Sequence, residues 1–295
     1  MMFGVLAISV IGCVSSIFTL VLNLFMVLKA NALFSDGEKK KNDLHLFYYR
    51  FVIDIFLALF VAIYLALIII YCINPSIFNH RTDLMFLTSL PASNIGAMRS
   101  IITLSITFER CIAVYAPVFF HNYSKMFPTS LLAILAIVFG LFENFMLFGI
   151  CEFDFKIQEN CVAFGCAINT CFRFYWTSHK TIIFALTATF SAFLCIKLFV
   201  LGNELKNNMS KVNRLALLDA GTVTIFDFLP SFIANQWSTT GFFSFENIGP
   251  YGAVTKMFGC AIESFLVVRT LLKNHQKLGE TSRSFTRKKM FQINN

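Results

Sequence analysis

FGVLAISVIGCVSSIFTLVLNLFMVL, residues 3–28, holds no charged side chain and is followed by Lys29 and the run Lys39, Lys40, Lys41. About 20 mostly apolar residues carry a helix across the ~30 Å hydrocarbon core of a bilayer. The stretch therefore predicts a membrane-spanning helix. It lacks a basic start and exceeds the apolar core of a secretory signal, about 7–15 residues. It reads as a retained anchor with Met1 outside.

Six further apolar runs follow, at 46–73, 85–115, 130–150, 180–201, 215–236 and 250–272, each set off by polar segments. The fold class expected is an all-α membrane protein: a seven-transmembrane bundle over 1–272, with a basic cytoplasmic tail over 273–295. Composition agrees. Hydrophobic residues make up 57% of the chain against 14% charged, and 37 residues are Phe, more than a water-soluble domain of this size can bury.

The net charge of +8 raises the question of nucleic acid, but the basic residues lie between and after the apolar runs. With Met1 outside, the outer segments hold Arg81, Lys156, Arg173 and Lys180. Arg99, Lys197 and Lys256 fall within spans, and the remaining Lys and Arg, Arg50 among them, fall on the inner side. That asymmetry is the positive-inside signal, not a nucleic-acid surface. The sequons at Asn122 and Asn208 then lie in cytoplasmic segments and read as chance matches.

Of nine Cys, Cys151, Cys161, Cys166 and Cys171 crowd the loop between spans four and five, and Cys72 ends span two. This outer face meets an oxidising compartment, so these five are candidate disulfide residues, with connectivity open and one left over. Paired metal-ligand spacing is missing, and no metal or other cofactor is expected. Nor does the chain carry a Gly-rich phosphate loop, a His-Glu-x-x-His helix or a nucleophile elbow, so it does not read as an enzyme.

Glu109-Arg110-Cys111-Ile112-Ala113-Val114-Tyr115-Ala116-Pro117 closes span three at its inner end. An Arg there can snorkel to water or be held by the neighbouring carboxylate, and passage between the two is a natural switch; the plainer alternative is an interfacial anchor. Span six carries Asp227-Phe228-Leu229-Pro230, and a Pro inside a span bends the helix.

Other charges lie within the spans. Asp54 and Arg99 are expected to pair inside the bundle, since an unpaired charge there is costly. Lys256 and Glu263 share one face of span seven, and Asp219 and Asp227 are close in phase on span six. Structural pairing and ligand contact are both open for these four. A Schiff base between Lys256 and an aldehyde is a weaker alternative, since nothing else in the chain argues for a chromophore.

The segment after span three resembles the Asp/Glu-Arg-Tyr signature of rhodopsin-like receptors, with Cys111 in place of the Tyr, and Phe228 and Pro230 stand where that superfamily has its aromatic switch and kink. The whole chain resembles more closely the nematode serpentine chemoreceptors of class Srbc. The likeness rests on Glu-Arg-x-Ile-Ala-Val-Tyr-x-Pro and on Asn213-Arg214-Leu215-Ala216-Leu217-Leu218-Asp219 leading into Phe226-Asp227-Phe228-Leu229-Pro230. The departures are Met85 where a disulfide Cys is usual, a seventh span without Asn-Pro-x-x-Tyr, and Ser210 in place of a lock carboxylate. Cys72 is a candidate substitute for the missing Cys. Arg99 opposite Asp54 argues against a sodium site.

The resemblance implies a chemosensory G-protein-coupled receptor in the cell membrane, in sensory-neuron cilia. It would bind an extracellular small molecule and signal to a heterotrimeric G protein through Glu109, Arg110, Phe228 and Pro230, with Lys206, Lys211 and Arg214 forming a basic inner cleft. The ligand cavity is expected among spans three, five, six and seven, under the Cys-rich loop, with Phe174, Tyr175, Phe232, Trp237 and Tyr251 as candidate lining. A homo- or hetero-dimer is left open. The rival reading is a seven-span ligand-gated channel or solute transporter, since Asp54, Arg99, Lys256 and Glu263 could equally line a path.

Overall fold

The structure, a computed structural model, describes residues 2–34, 45–78, 83–123, 129–154, 164–200, 211–236 and 250–270. The long helices are α1 (Met2–Phe34), α2 (His45–Ile73), α3 (Asp83–Tyr115), α4 (Thr129–Asn144, drawn on through a π-helical turn Phe145–Ile150) and α5 (Thr170–Val200). α6 comprises Lys211–Val223, a π-helical turn Thr224–Phe228 and Leu229–Gln236. α7 runs over Tyr251–Thr270. No strand occurs among the described residues. The Cys161, Lys206 and Trp237 positions, Asn208 and the 273–295 tail lie outside them.

Helix ends follow the local chemistry. α2 stops ahead of Asn74-Pro75, and α3 stops ahead of Ala116-Pro117, where Pro117 opens a short helix to Tyr123. A residue before proline is pushed out of the helical region, while proline itself suits a first helical position. α5 begins at Thr170, well before the apolar run expected at 180. Its first turns, TCFRFYWTSH, hold the polar residues that place the expected start later, yet Phe172 is fully buried among them.

α1, α2, α4, α5 and α7 are long and apolar enough to cross a membrane by length and composition. The inner faces of α3 and α6 carry polar and charged groups: Asn94, Arg99, Thr103 and Arg110 on α3, Asp219 and Asp227 on α6. The burial pattern is that of lipid as solvent. On α1 the small polar side chains Ser9, Ser16, Thr19 and Asn23 are buried, while Val14, Phe18 and Val21 face outward. Hydroxyls that lack water bond back to the helix: Ser16, Thr19, Thr107 and Thr187 each donate to the carbonyl four residues earlier, at 2.8 Å.

α3 is the central helix, in contact with α2, α4, α5 and α6. Its close approach to α4 depends on Gly140, where an added Cβ would stand 2.7 Å from the Asn94 carbonyl oxygen. Apolar packing gathers in three groups. One joins Leu57, Val61, Leu65 and Ile68 of α2 to Val254 and Met257 of α7. A second joins Phe47, Phe51, Ile102, Ile106, Leu194 and Leu215 toward the Arg110 end. The third, Phe86, Leu147, Cys151, Ile168 and Phe172, closes the opposite end. Charged groups occupy the layer between.

Candidate functional site

That layer is built on five side chains from four helices. Arg50 and Asp54 of α2 sit one helical turn apart and form an ion pair. Arg50 Nε donates to Asp219 Oδ1 on α6 at 2.8 Å, and its Nη2 reaches Glu263 Oε2 on α7 at 2.5 Å. Arg99 of α3 donates from Nε to Asp54 Oδ1 at 2.8 Å and from Nη2 to Glu263 Oε2 at 3.0 Å. Thr222 of α6 adds a hydroxyl to the same Glu263 oxygen at 3.2 Å. All five charged groups are buried, and Arg50 is only 1% exposed. Asn23 of α1 extends the polar contact to Ser264 at 3.0 Å.

Asp54 and Arg99 are therefore brought together, but as part of a larger assembly. Lys256 and Glu263, which share a face of α7, serve different partners: Glu263 meets the two arginines, and Lys256 Nζ meets Asp227 Oδ2 of α6 at 2.8 Å. Asp219 goes with Arg50 and Asp227 with Lys256, so the two acids of α6 also part company. By sequence position alone Arg50 reads as a cation of the inner segment, because it lies near the start of its apolar run. Its i, i+4 relation to Asp54 was the signal available for placing it inside.

Above this layer, toward the disulfide end, lies a cavity of about 130 Å³. Leu57 and Val61 of α2, Ser93 of α3, Trp176 and Lys180 of α5, and Lys256 of α7 are among its walls; Asp227 and Phe164 also line it. α2 thus contributes as well as α3, α5, α6 and α7. Phe174, Phe232 and Tyr251, expected as lining, are 74%, 42% and 37% exposed and do not line it. Tyr175 is half-buried but does not line it either. The early start of α5 sets Trp176 and Lys180 on the inward face, so sequence reasoning missed both. Glu143 was also missed: it is fully buried on α4, held by the Ser93 hydroxyl at 3.1 Å and lying 3.2 Å from His179 Nε2.

Cys151 and Cys171 form a disulfide that ties the end of α4 to the start of α5. Cys166 is also disulfide-bonded, and Cys161 lies outside the described residues. Cys72 is a half-buried free thiol, so it does not replace the bridge absent at Met85; its place at the end of α2 leaves it packed against the apolar group of α2 and α7.

At the other end of α3, Arg110 is 5% exposed and its Nη2 donates to Glu109 Oε1 at 2.5 Å. Its guanidinium lies over the Phe120 ring at 5.9 Å. Beside it, Tyr115 donates to the Phe193 carbonyl of α5 at 3.0 Å, and Lys197 lies over the Tyr115 ring. Arg214 is exposed on α6; the Lys211 residue opens that helix.

In α6 the Leu229 N–H bonds to the Thr224 carbonyl five residues back, one residue ahead of Pro230. A proline ring clashes with the carbonyl four residues before it, and the π-helical turn shifts the ladder so that the helix continues past it. Phe228, inside that turn, packs against Phe184 of α5 and Phe232, with ring centroids 5.4 and 5.5 Å away.

A helical bundle with a polar interior, a cavity toward one end and a Glu-Arg pair with a buried Arg at the other end of the central helix agrees with the seven-transmembrane receptor class. Residues 1–275 match the model of the family described as serpentine type 7TM GPCR chemoreceptor Srbc, and the chain belongs to that family. This is a chemoreceptor family of membrane proteins, not an enzyme family. No curated protein matches the chain.

Proposed function

We propose that the chain is a chemosensory receptor that takes an extracellular small molecule into the cavity lined by Trp176, Lys180 and Lys256 and signals to a heterotrimeric G protein. The observation that carries this reading is Arg110, buried at the end of α3 and held by Glu109. A cation kept from water at a helix end, against a half-buried carboxylate neighbour, has an alternative state within reach.

The orientation proposed sets the N-terminus outside and Arg110 inside. Two features support it: the basic residues concentrate in the segments on the Arg110 side, and the Cys151–Cys171 disulfide lies at the opposite end, where an oxidising compartment is expected. The ligand shifts an equilibrium between two packings of α6. Its hinge is the π-helical turn Thr224–Phe228 with Pro230, where the backbone ladder is already displaced. Swinging of the Arg110-side half of α6 frees Arg110 and opens a cleft bordered by Lys206, Lys211 and Arg214. The cell membrane of sensory cilia is the proposed location.

The test is a chemical panel applied to cells expressing the chain, read by second-messenger reporters and by ion current. A compound that drives the reporters only when a G protein is present supports the receptor. Current through the purified protein in liposomes, on adding the same compound without G protein, replaces it with a ligand-gated channel.

A further inference from the structure

The cavity has an uneven charge inventory. Lys180 and Lys256 both line it, with one carboxylate, Asp227, and that carboxylate is engaged by Lys256 at 2.8 Å. Lys180 makes no ion pair with a described residue; its ammonium lies over the Trp176 ring, 3.5 Å from the centroid. The nearby Glu143 does not line the cavity; one of its oxygens accepts from Ser93, the other lies 3.2 Å from His179 Nε2, and with Asp227 it acts on the Lys180 ammonium only at longer range. Trp176 itself is fixed from behind, its indole N–H donating to the Ser93 hydroxyl at 3.0 Å. A half-buried ammonium resting on an aromatic face, with a second ammonium across the same cavity, is an anion receptor in its chemistry.

The rest of the wall is mainly apolar, with Leu57, Val61, Ala92 and Phe164, and adds the hydroxyl-bearing Tyr64, Ser89 and Ser93. A cavity of about 150 Å³ lined by apolar groups accommodates benzene, so about 130 Å³ suits a body of similar or slightly smaller size. Gly96 keeps the second ammonium in reach, since a Cβ there would stand 2.8 Å from Lys256 Nζ.

We infer that the ligand is a small monocarboxylate with a compact apolar body, its carboxylate bridging Lys180 and Lys256. This rests on the receptor reading above and gives it a trigger. A carboxylate between the two ammonium groups competes with Asp227 for Lys256. Asp227 belongs to the π-helical turn directly ahead of Leu229-Pro230. Ligand charge is thereby coupled to the α6–α7 contact that holds the hinge.

The experiment uses the full chain in neutral phosphatidylcholine nanodiscs, with Trp237→Phe so that Trp176 is the sole remaining indole of the two in the sequence. Trp176 fluorescence is titrated with benzoate, benzamide and benzylamine, and with isobutyrate and isobutyramide. The expected result is a response to the carboxylates at concentrations about tenfold or more below those of the matching amides, the scale of one charge-assisted hydrogen bond. Lys180→Gln should lose the preference while keeping the thermal unfolding of the parent, and Lys180→Arg should keep it. Equal response to acid and amide, preference for the amine, preference surviving in Lys180→Gln, or no response to either carboxylate at millimolar concentration overturns the inference. Carboxylate binding that never stimulates nucleotide exchange on a G protein keeps the anion site and removes the receptor reading. Exchange driven by amides or amines with no preference for the acids does the reverse.

Discussion

Arg50 on α2 and Asp219 on α6 stand 169 residues apart in sequence and are joined by a 2.8 Å hydrogen bond from Nε to Oδ1. The contact ties the helix that carries the π-helical turn and Pro230 to α2, which carries neither. Around it two guanidinium groups, Arg50 and Arg99, face three carboxylates, Asp54, Asp219 and Glu263. Removing a partner from such a cluster leaves an uncompensated charge out of water, which costs more than the pair itself contributes.

Arg50→Met should therefore be far worse than Asp219→Asn. The first leaves three acids facing one cation and is expected to lower stability by about 3–5 kcal/mol, with loss of surface expression. The second removes one of the acids in excess and should be the milder change. Thermal unfolding in nanodiscs and surface labelling measure both; Arg50→Met behaving like the parent would show that the cluster is not a structural unit.

Exchanging the charges of Asp54 and Arg99 is the usual test of an isolated pair, and here it should fail. Asp54 is shared with Arg50, so an arginine at 54 would face the one a turn earlier. Arg99→Met combined with Glu263→Gln, which removes one charge of each sign, should instead recover expression lost in Arg99→Met alone. The non-additivity, expected at about 0.5–3 kcal/mol for contacting groups, is read from a double-mutant cycle. Full recovery by the Asp54/Arg99 exchange would contradict the shared geometry.

Much of this arrangement was legible from sequence, and the rest fails for identifiable reasons. Hydropathy found the runs that become α1, α2, α4 and α7, since lipid-facing helices are apolar on most of their surface. Asp54 and Arg99 stood out because each lies deep in such a run. Arg50 did not, because the apolar run begins only four residues before it and a basic residue there looks like a loop charge. The inward face of α5 was hidden for a different reason: Arg173, Trp176, His179 and Lys180 make its first turns polar, and only burial against α3 and α4 reveals that the polarity points inward. Which acid meets which base among Asp219, Asp227, Lys256 and Glu263 depends on how α6 and α7 are rotated, and a π-helical turn that begins after Asp219 and contains Asp227 alters that phase.

Gly96→Ala tests the space reserved for Lys256. The added methyl would meet the flexible end of a lysine rather than backbone, so the fold should survive with a change of about 1 kcal/mol or less. The ammonium must shift from its position beside Asp227. Ligand-independent signalling should rise relative to surface expression as the α6–α7 contact loosens. Unchanged basal signalling at normal expression would separate the Lys256–Asp227 pair from the hinge.

The Cys151–Cys171 bridge closes a loop with a sequence separation of 20. Cys151→Ser with Cys171→Ser should lower stability by about 3 kcal/mol, the loop-closure scale for such a length, and reduce surface expression. Cys72→Ser should do neither, since Cys72 is a free thiol. The reverse pattern, read by thermal unfolding under non-reducing conditions, would reassign the bridge.

The central claim, that Arg110 links ligand binding to a G protein, is tested most directly by Arg110→Ala in cells where an agonist from the chemical panel drives a second-messenger reporter. At matched surface expression the variant is expected to bind the agonist and lose agonist-driven signalling. Signalling retained at the level of the parent would contradict the switch.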